Sequence, residues 1–299
     1  MPIPHSGEIA ALGTAACWTV TALAFEGATR RAGSMSVNLL RLMIALPLLC
    51  AAAYAFRGAA FPTDATAAAW GWLSLSGLIG FALGDFCLFR ALVLIGPRLA
   101  TLVMSLVPPL TALASWLILG EILRPSDILG MALTVTGIFW AVEERRRANR
   151  KRIEVTHPWL GLTLALGGAV GQAVGLVLSK LGMGSYSAIA STQIRVFAGI
   201  AGFLVIFLAL RRWDRLRAAL ADSRALRLTT VGAFFGPFLG VTLSLYAVQH
   251  ALAGVAASIM ATTPVLIIPV VVLSGKERVG WGGVGGAILA VAGVFLLFF

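Results

Sequence analysis

Three ionisable side chains stand well inside apolar stretches of this sequence: Arg41, Asp85 and Arg195. A charge surrounded by lipid is costly, so it marks a partner, a proton relay or a substrate path. Arginine stays charged, and its planar fork can bind a carboxylate through two parallel hydrogen bonds. Arg41, in "NLLRLMIALPLL" (Asn38–Leu49), lies about five residues into its run, roughly 8 Å deep at about 1.5 Å per residue. That is within reach of the surface by snorkelling. Arg195 lies about nine residues in, roughly 13 Å deep, where snorkelling is harder. Asp85 is the carboxylate farthest from any run end. Two roles are open for it, salt-bridge partner of Arg41 or proton-coupling acid.

Other polar and aromatic groups fall near the middle of apolar runs. With the two arginines they form a candidate substrate-binding set: Trp18, Asn38, Arg41, Gln172, Gln193, Arg195, Thr242 and Tyr246. Tryptophan prefers the membrane interface, so a central Trp18 either lines a cavity or fills a core. Gln172 and Gln193 either meet substrate or make interhelical hydrogen bonds, each worth about 1 kcal/mol. No catalytic or metal set is found. His5, His157 and His250 sit at run ends, and Cys17, Cys50 and Cys87 show no CxxC or Cys/His spacing. No GxxxxGK[ST] loop exists, so a one-chain ATP-driven pump is excluded and no cofactor is expected.

The elements that must position these residues are membrane helices. Of 299 residues, 59% are hydrophobic and 12% charged, with a mean hydropathy of +0.94. Soluble domains carry about 25% charged residues. The net charge of +11 sits in short clusters between apolar runs, which fits membrane topology and not nucleic-acid binding. At about 20 residues per crossing, ten spans are expected, near 9–29, 36–56, 69–94, 97–119, 126–143, 158–181, 186–210, 228–250, 253–275 and 280–299. The fold class is all-α, a ten-helix membrane bundle.

The chain repeats itself. Residues 80–139 align with 236–295 at an offset of 156, matching Gly80, Gly84, Pro108, Glu121 and Gly137 to Gly236, Gly240, Pro264, Glu277 and Gly293. Nearer the start of each half the offset is 154, which pairs Arg41 with Arg195 and Trp18 with Gln172. The halves are 1–150 and 151–299, five spans each. An odd number inverts the second half, the arrangement of alternating-access transporters with a midplane site. The paired glycines Gly80–Gly84 and Gly236–Gly240 read as close packing and hinges. Pro108 and Pro264 are expected to interrupt spans 4 and 9 and serve gating.

One set of span ends carries three basic residues, Arg57, Arg124 and Lys180, and the other carries seventeen. The positive-inside rule makes the seventeen cytoplasmic and puts both termini on the opposite side. Within the basic set, Arg211–Leu226 reads either as a short surface helix or as a basic loop.

The stretches "ATLVMSLVPPLTALASWLILGE" (Ala100–Glu121) and "AASIMATTPVLIIPVVVLSGKE" (Ala256–Glu277), set on ten spans in two halves, resemble the EamA family of the drug/metabolite transporter superfamily. The resemblance covers the whole chain. It implies a secondary transporter in a bacterial inner membrane, an exporter of amino acids or related compounds. Some relatives carry nucleotide sugars or cationic drugs. Familiar members are drawn with both termini in the cytoplasm, whereas the charges here argue the reverse. The arginines favour a carboxylate-bearing substrate. A cationic-drug exporter would rest on Asp85, and an intramembrane enzyme is the remote alternative. The expected partners are a small-molecule substrate and the lipid bilayer. The chain is a monomer or a homodimer, the latter packed through glycine-rich span 10. A reporter fused at Asn149 is expected to read cytoplasmic; a periplasmic reading would reverse the orientation.

Overall fold

The computed structural model describes residues 4–148, 158–211, 213–273 and 281–298. The boundary between the halves near 150 lies outside them, as do Lys276, Glu277 and Arg278. Among the described residues the chain is helical and has no strand. Among the described residues, nine helical stretches are long and apolar enough to cross a membrane, and a shorter apolar helix, Trp281–Leu296, follows.

In chain order the helices are α1 (Ser6–Ala32), α2 (Ser34–Arg57), α3 (Ala67–Gly77), α4 (Asp85–Met104), α5 (Val107–Leu119), α6 (Pro125–Ala148) and α7 (Pro158–Met183). Then come α8 (Ala188–Leu210), α9 (Trp213–Ala221), α10 (Ser223–Ala233), α11 (Val241–His250), α12 (Ala253–Met260), α13 (Thr263–Leu273) and α14 (Trp281–Leu296). Packing follows the repeat. The α3–α4 unit lies on α7, and its counterpart α10–α11 lies on α1; α2 pairs with α8, and α6 with α14. His5 and Phe298 rings approach to 5.9 Å, so both described ends share one face. This is called the terminal face here, and the opposite one the basic face.

Two spans are each interrupted by one turn of π-helix, at Leu78–Gly84 and at Phe234–Gly240. These are the segments that the 156 offset aligns. A π turn leaves the regular ladder locally and recurs at functional positions. Each packs on its partner helix through notches one turn apart. In the first half Ser76 donates to Gly175 O at 2.6 Å and meets Ser179 Oγ at 2.7 Å. A Cβ on Gly175 would lie 3.1 Å from Gly80 Cα, and one on Gly171 would lie 3.0 Å from Gly84 Cα. In the second half Phe25, Thr21 and Trp18 fill the notches at Gly232, Gly236 and Gly240. The glycine pairs therefore do pack closely.

Three details refine the expected spans. Spans 3 and 4 do not part at residue 95 as helices: helical backbone runs through Asp85–Met104, although the apolar crossings still divide between Ile95 and Leu102. The breaks fall at Ser105–Leu106 and Ala261–Thr262 instead. Pro108 and Pro264 stand in the first turns of α5 and α13, where the missing N–H costs nothing. They start half-helices; they do not kink continuous ones. Lastly, span 10 uses its glycines inside the chain. A Cβ on Gly286 would lie 2.5 Å from Ala141 N, and one on Gly293 would lie 2.5 Å from Thr134 N.

The α6–α14 seam predicts a sharp contrast. Gly286→Leu forces backbone apart and is expected to destabilise by about 3 kcal/mol or more. Gly71→Leu meets open space and is expected to leave the melting temperature unchanged. Equal melting temperatures for the two variants in detergent would contradict this packing.

Candidate functional site

The central polar cluster is built where α2, α4, α7 and α8 converge. Arg41 forms an ion pair with Asp85, through Nη2 and Oδ2. Gln172 Nε2 donates to the other carboxylate oxygen of Asp85 at 3.1 Å. The close approach of Gly171 to Gly84 brings Gln172 beside Asp85. Arg41 also lies over the Phe25 ring, 5.6 Å from its centroid, and Phe25 is held in the Gly232 notch. Asp85 is thus engaged on both oxygens and is 4% exposed.

Arg195 is different. It is 5% exposed, and its guanidinium has no hydrogen-bond or ion-pair partner among the described residues; its Nε, like that of Arg41, is buried and unpaired. It sits 4.8 Å above the Phe81 ring centroid, one helical turn before Asp85, and its charge is felt at that carboxylate. Gly77 makes this position possible, because a Cβ there would lie 2.3 Å from Arg195 O. The cluster therefore holds two guanidinium groups against one carboxylate.

The other sequence candidates scatter. Asn38 lies one turn before Arg41, is 2% exposed, and lines a cavity that opens on the basic face. Trp18 packs against Gly240, with Nε1 2.9 Å from a Cβ built there. Gln193 does not join the cluster: its Nε2 donates to Ala60 O at 2.7 Å, in the loop after α2. Thr242 Oγ1 donates back to Phe238 O. Tyr246 stacks on His250 at 4.1 Å. Pairing at a fixed offset identifies equivalent backbone positions, but it does not say which way a side chain turns.

The basic-face cavity has a volume of about 190 Å³ and is lined by residues from α1, α2, α4, α8 and α9 and the Gly33 turn. Arg90 stands on its wall and was absent from the sequence candidates. Its signal is its position inside the expected span 69–94, five residues past Asp85. Within Arg211–Leu226, Trp213–Ala221 forms α9, and α10 starts at Ser223. Trp213 of α9 rests 5.7 Å from Phe207, Ala219 is buried, and Arg31 pairs with Asp222 at 2.8 Å. The segment is a helix tucked against the bundle.

The terminal face is closed by polar contacts. Lys180 Nζ pairs with Glu121 Oε1 at 2.5 Å and donates to Ala251 O at 2.6 Å. Glu121 Oε2 accepts from Ala253 N at 2.8 Å, at the start of α12. This triangle joins the ends of α5, α7 and α11 to α12. Gln249 donates to Gly184 O and Tyr186 O. Arg57 and Tyr186 converge on Asp64, and the Arg57 guanidinium holds the Asp64 carboxyl down at about 2. The lock is not duplicated, because the residue 154 before Lys180 is Glu26, which pairs with Arg30. Among the described residues, these polar contacts cross the terminal face, and a cavity lies at the basic face.

The EamA-like transporter family model matches residues 5–142 and again 159–299. The chain belongs to the EamA-like transporter family. Its two matches are the two halves seen in the repeat, and with the apolar helices they make it an integral membrane protein of a transporter family. None of the curated proteins matches. A solved structure described only as "Crystal structure of protein" has a TM-score of 0.77 at 20% identity, covering 97% of this chain and 95% of its own. At that identity it speaks for the shared fold alone.

The lock predicts a change in access. Lys180→Ala is expected to raise the thiol-labelling rate of an Ala251→Cys probe at least about tenfold, since it removes a charge-assisted contact worth about 1.5–3 kcal/mol. An unchanged rate would mean that these contacts do not hold the face shut.

Proposed function

We propose that this protein is a secondary transporter that exports amino acids or related carboxylate-bearing metabolites by alternating access across a bacterial inner membrane. Its termini face away from the cytoplasm, so the basic-face cavity opens inward. The observation that carries the reading is Arg195, a buried guanidinium without an anionic partner. An isolated charge in a low-dielectric bundle is stabilised strongly by a counter-charge that arrives with the substrate. A carboxylate fits the arginine fork, and it would even the charge of the cluster. Asp85 meanwhile is taken by Arg41 and Gln172, which argues against the cationic-drug alternative because a cation would have to displace an existing guanidinium.

Alternating access is supported by the unequal faces, one locked by Lys180 and Glu121 and one holding a cavity. In an inverted repeat, exchanging the conformations of the two halves produces the opposite-facing state. The two π turns, glycine-rich and set against α7 and α1, are the places where that exchange can be absorbed.

The test is transport by purified protein in liposomes, with a panel of amino acids and organic anions. Wild type is expected to accelerate flux of at least one carboxylate. Arg195→Gln should lower kcat/KM for it at least about tenfold, the loss of a charge-assisted bond. Arg195→Lys should fall between, keeping the charge but not the fork. Full transport of the carboxylate by Arg195→Gln would overturn the site. No flux across the whole panel would count against the transported class.

A further inference from the structure

The basic-face cavity contains more than a route inward. Its floor is Asn38, 2% exposed, whose side-chain amide can both donate and accept a hydrogen bond. Its rim carries Arg90 and Arg215, both exposed. Its wall includes the half-buried Phe86 and Phe89, one helical turn apart on α4. The volume of about 190 Å³ compares with roughly 150 Å³ for a protein cavity that takes up benzene. One ring and a short polar arm fit that volume.

From this combination we infer a second binding station, separate from Arg195, for a ring-bearing organic monoanion. The phenylalanines take the apolar body, Arg90 and Arg215 take the carboxylate, and Asn38 satisfies one further polar group. The station is placed to hand its ligand inward. Asn38 stands one helical turn before Arg41 on α2, while Phe86 and Phe89 flank and follow Asp85 on α4. An anion that leaves the arginines at the rim meets the surplus positive charge of the central cluster next. The station has no twin in the other half, because the residue 156 beyond Arg90 is Tyr246, stacked on His250. Capture by paired arginines is therefore a property of the basic face alone. The inference deepens the proposed function by narrowing its substrate class, and it rests on that reading only for the onward step.

Titration calorimetry on the purified full-length protein tests it with phenylacetate, its neutral amide phenylacetamide and the cation phenethylamine. Phenylacetate is expected to bind, phenylacetamide at least tenfold more weakly, and phenethylamine without measurable heat. Arg90→Gln/Arg215→Gln, at two exposed positions, should weaken phenylacetate at least tenfold, and Arg90→Lys/Arg215→Lys should restore most of it. Binding of the amide as tight as that of the acid, or binding unchanged in the glutamine double variant, would overturn the station. Arg195→Gln separates this inference from the transport reading. Loss of flux with phenylacetate binding retained at the rim supports two stations, whereas loss of rim binding in that variant would merge them into one and refute the second.

Discussion

Two guanidinium groups and one carboxylate stand inside an apolar bundle, and the surrounding structure is arranged around that imbalance. Arg41 and Asp85 neutralise each other, with Gln172 on the remaining carboxylate oxygen. Such a pair repays its desolvation only when geometry and extra hydrogen bonds are good. The Gly171–Gly84 and Gly175–Gly80 contacts supply that geometry by letting α7 approach the π turn closely. Arg195 is left over, shielded by the Phe81 ring and by Gly77, whose missing side chain admits its backbone. A structural ion pair would have been simpler to keep than a structural ion pair plus a free arginine.

The two halves share a backbone plan but have diverged in what fills it. Glycine lies on glycine between α7 and the first π turn, whereas Trp18, Thr21 and Phe25 fill the glycine notches between α1 and the second. Asp85 has Val241 as its counterpart, and Lys180 has Glu26. Side chains depart from the symmetry of the scaffold: Lys180 and Glu121 join elements at the terminal face, and a cavity with arginines lies at the basic face.

Much of this plan was legible in the sequence. The offsets of 154 and 156 pair Trp18 with Gln172 and align the two glycine-rich turns, and the helices follow from uninterrupted apolar runs. The repeat did not disclose local backbone form, so Gly80–Gly84 and Gly236–Gly240 read as close packing before they were seen as π turns. Pro108 and Pro264 read as kinks because a proline disrupts a helix interior; the chain breaks two or three residues earlier and uses them in first turns. Gln193 stands two residues before Arg195, and successive helical side chains point about 100° apart, so it turns toward Ala60 O and away from Asp85. Arg90 and the Glu121–Lys180 lock depend on tertiary neighbours that no local pattern encodes.

The most direct measurement of the central claim is the position of a transported carboxylate in an experimental structure of the complex. The account predicts a carboxylate oxygen within hydrogen-bonding distance of the Arg195 guanidinium, with the Arg41–Asp85 pair still present. A carboxylate bound in the bundle but out of reach of Arg195, with that guanidinium still unpartnered, would contradict it.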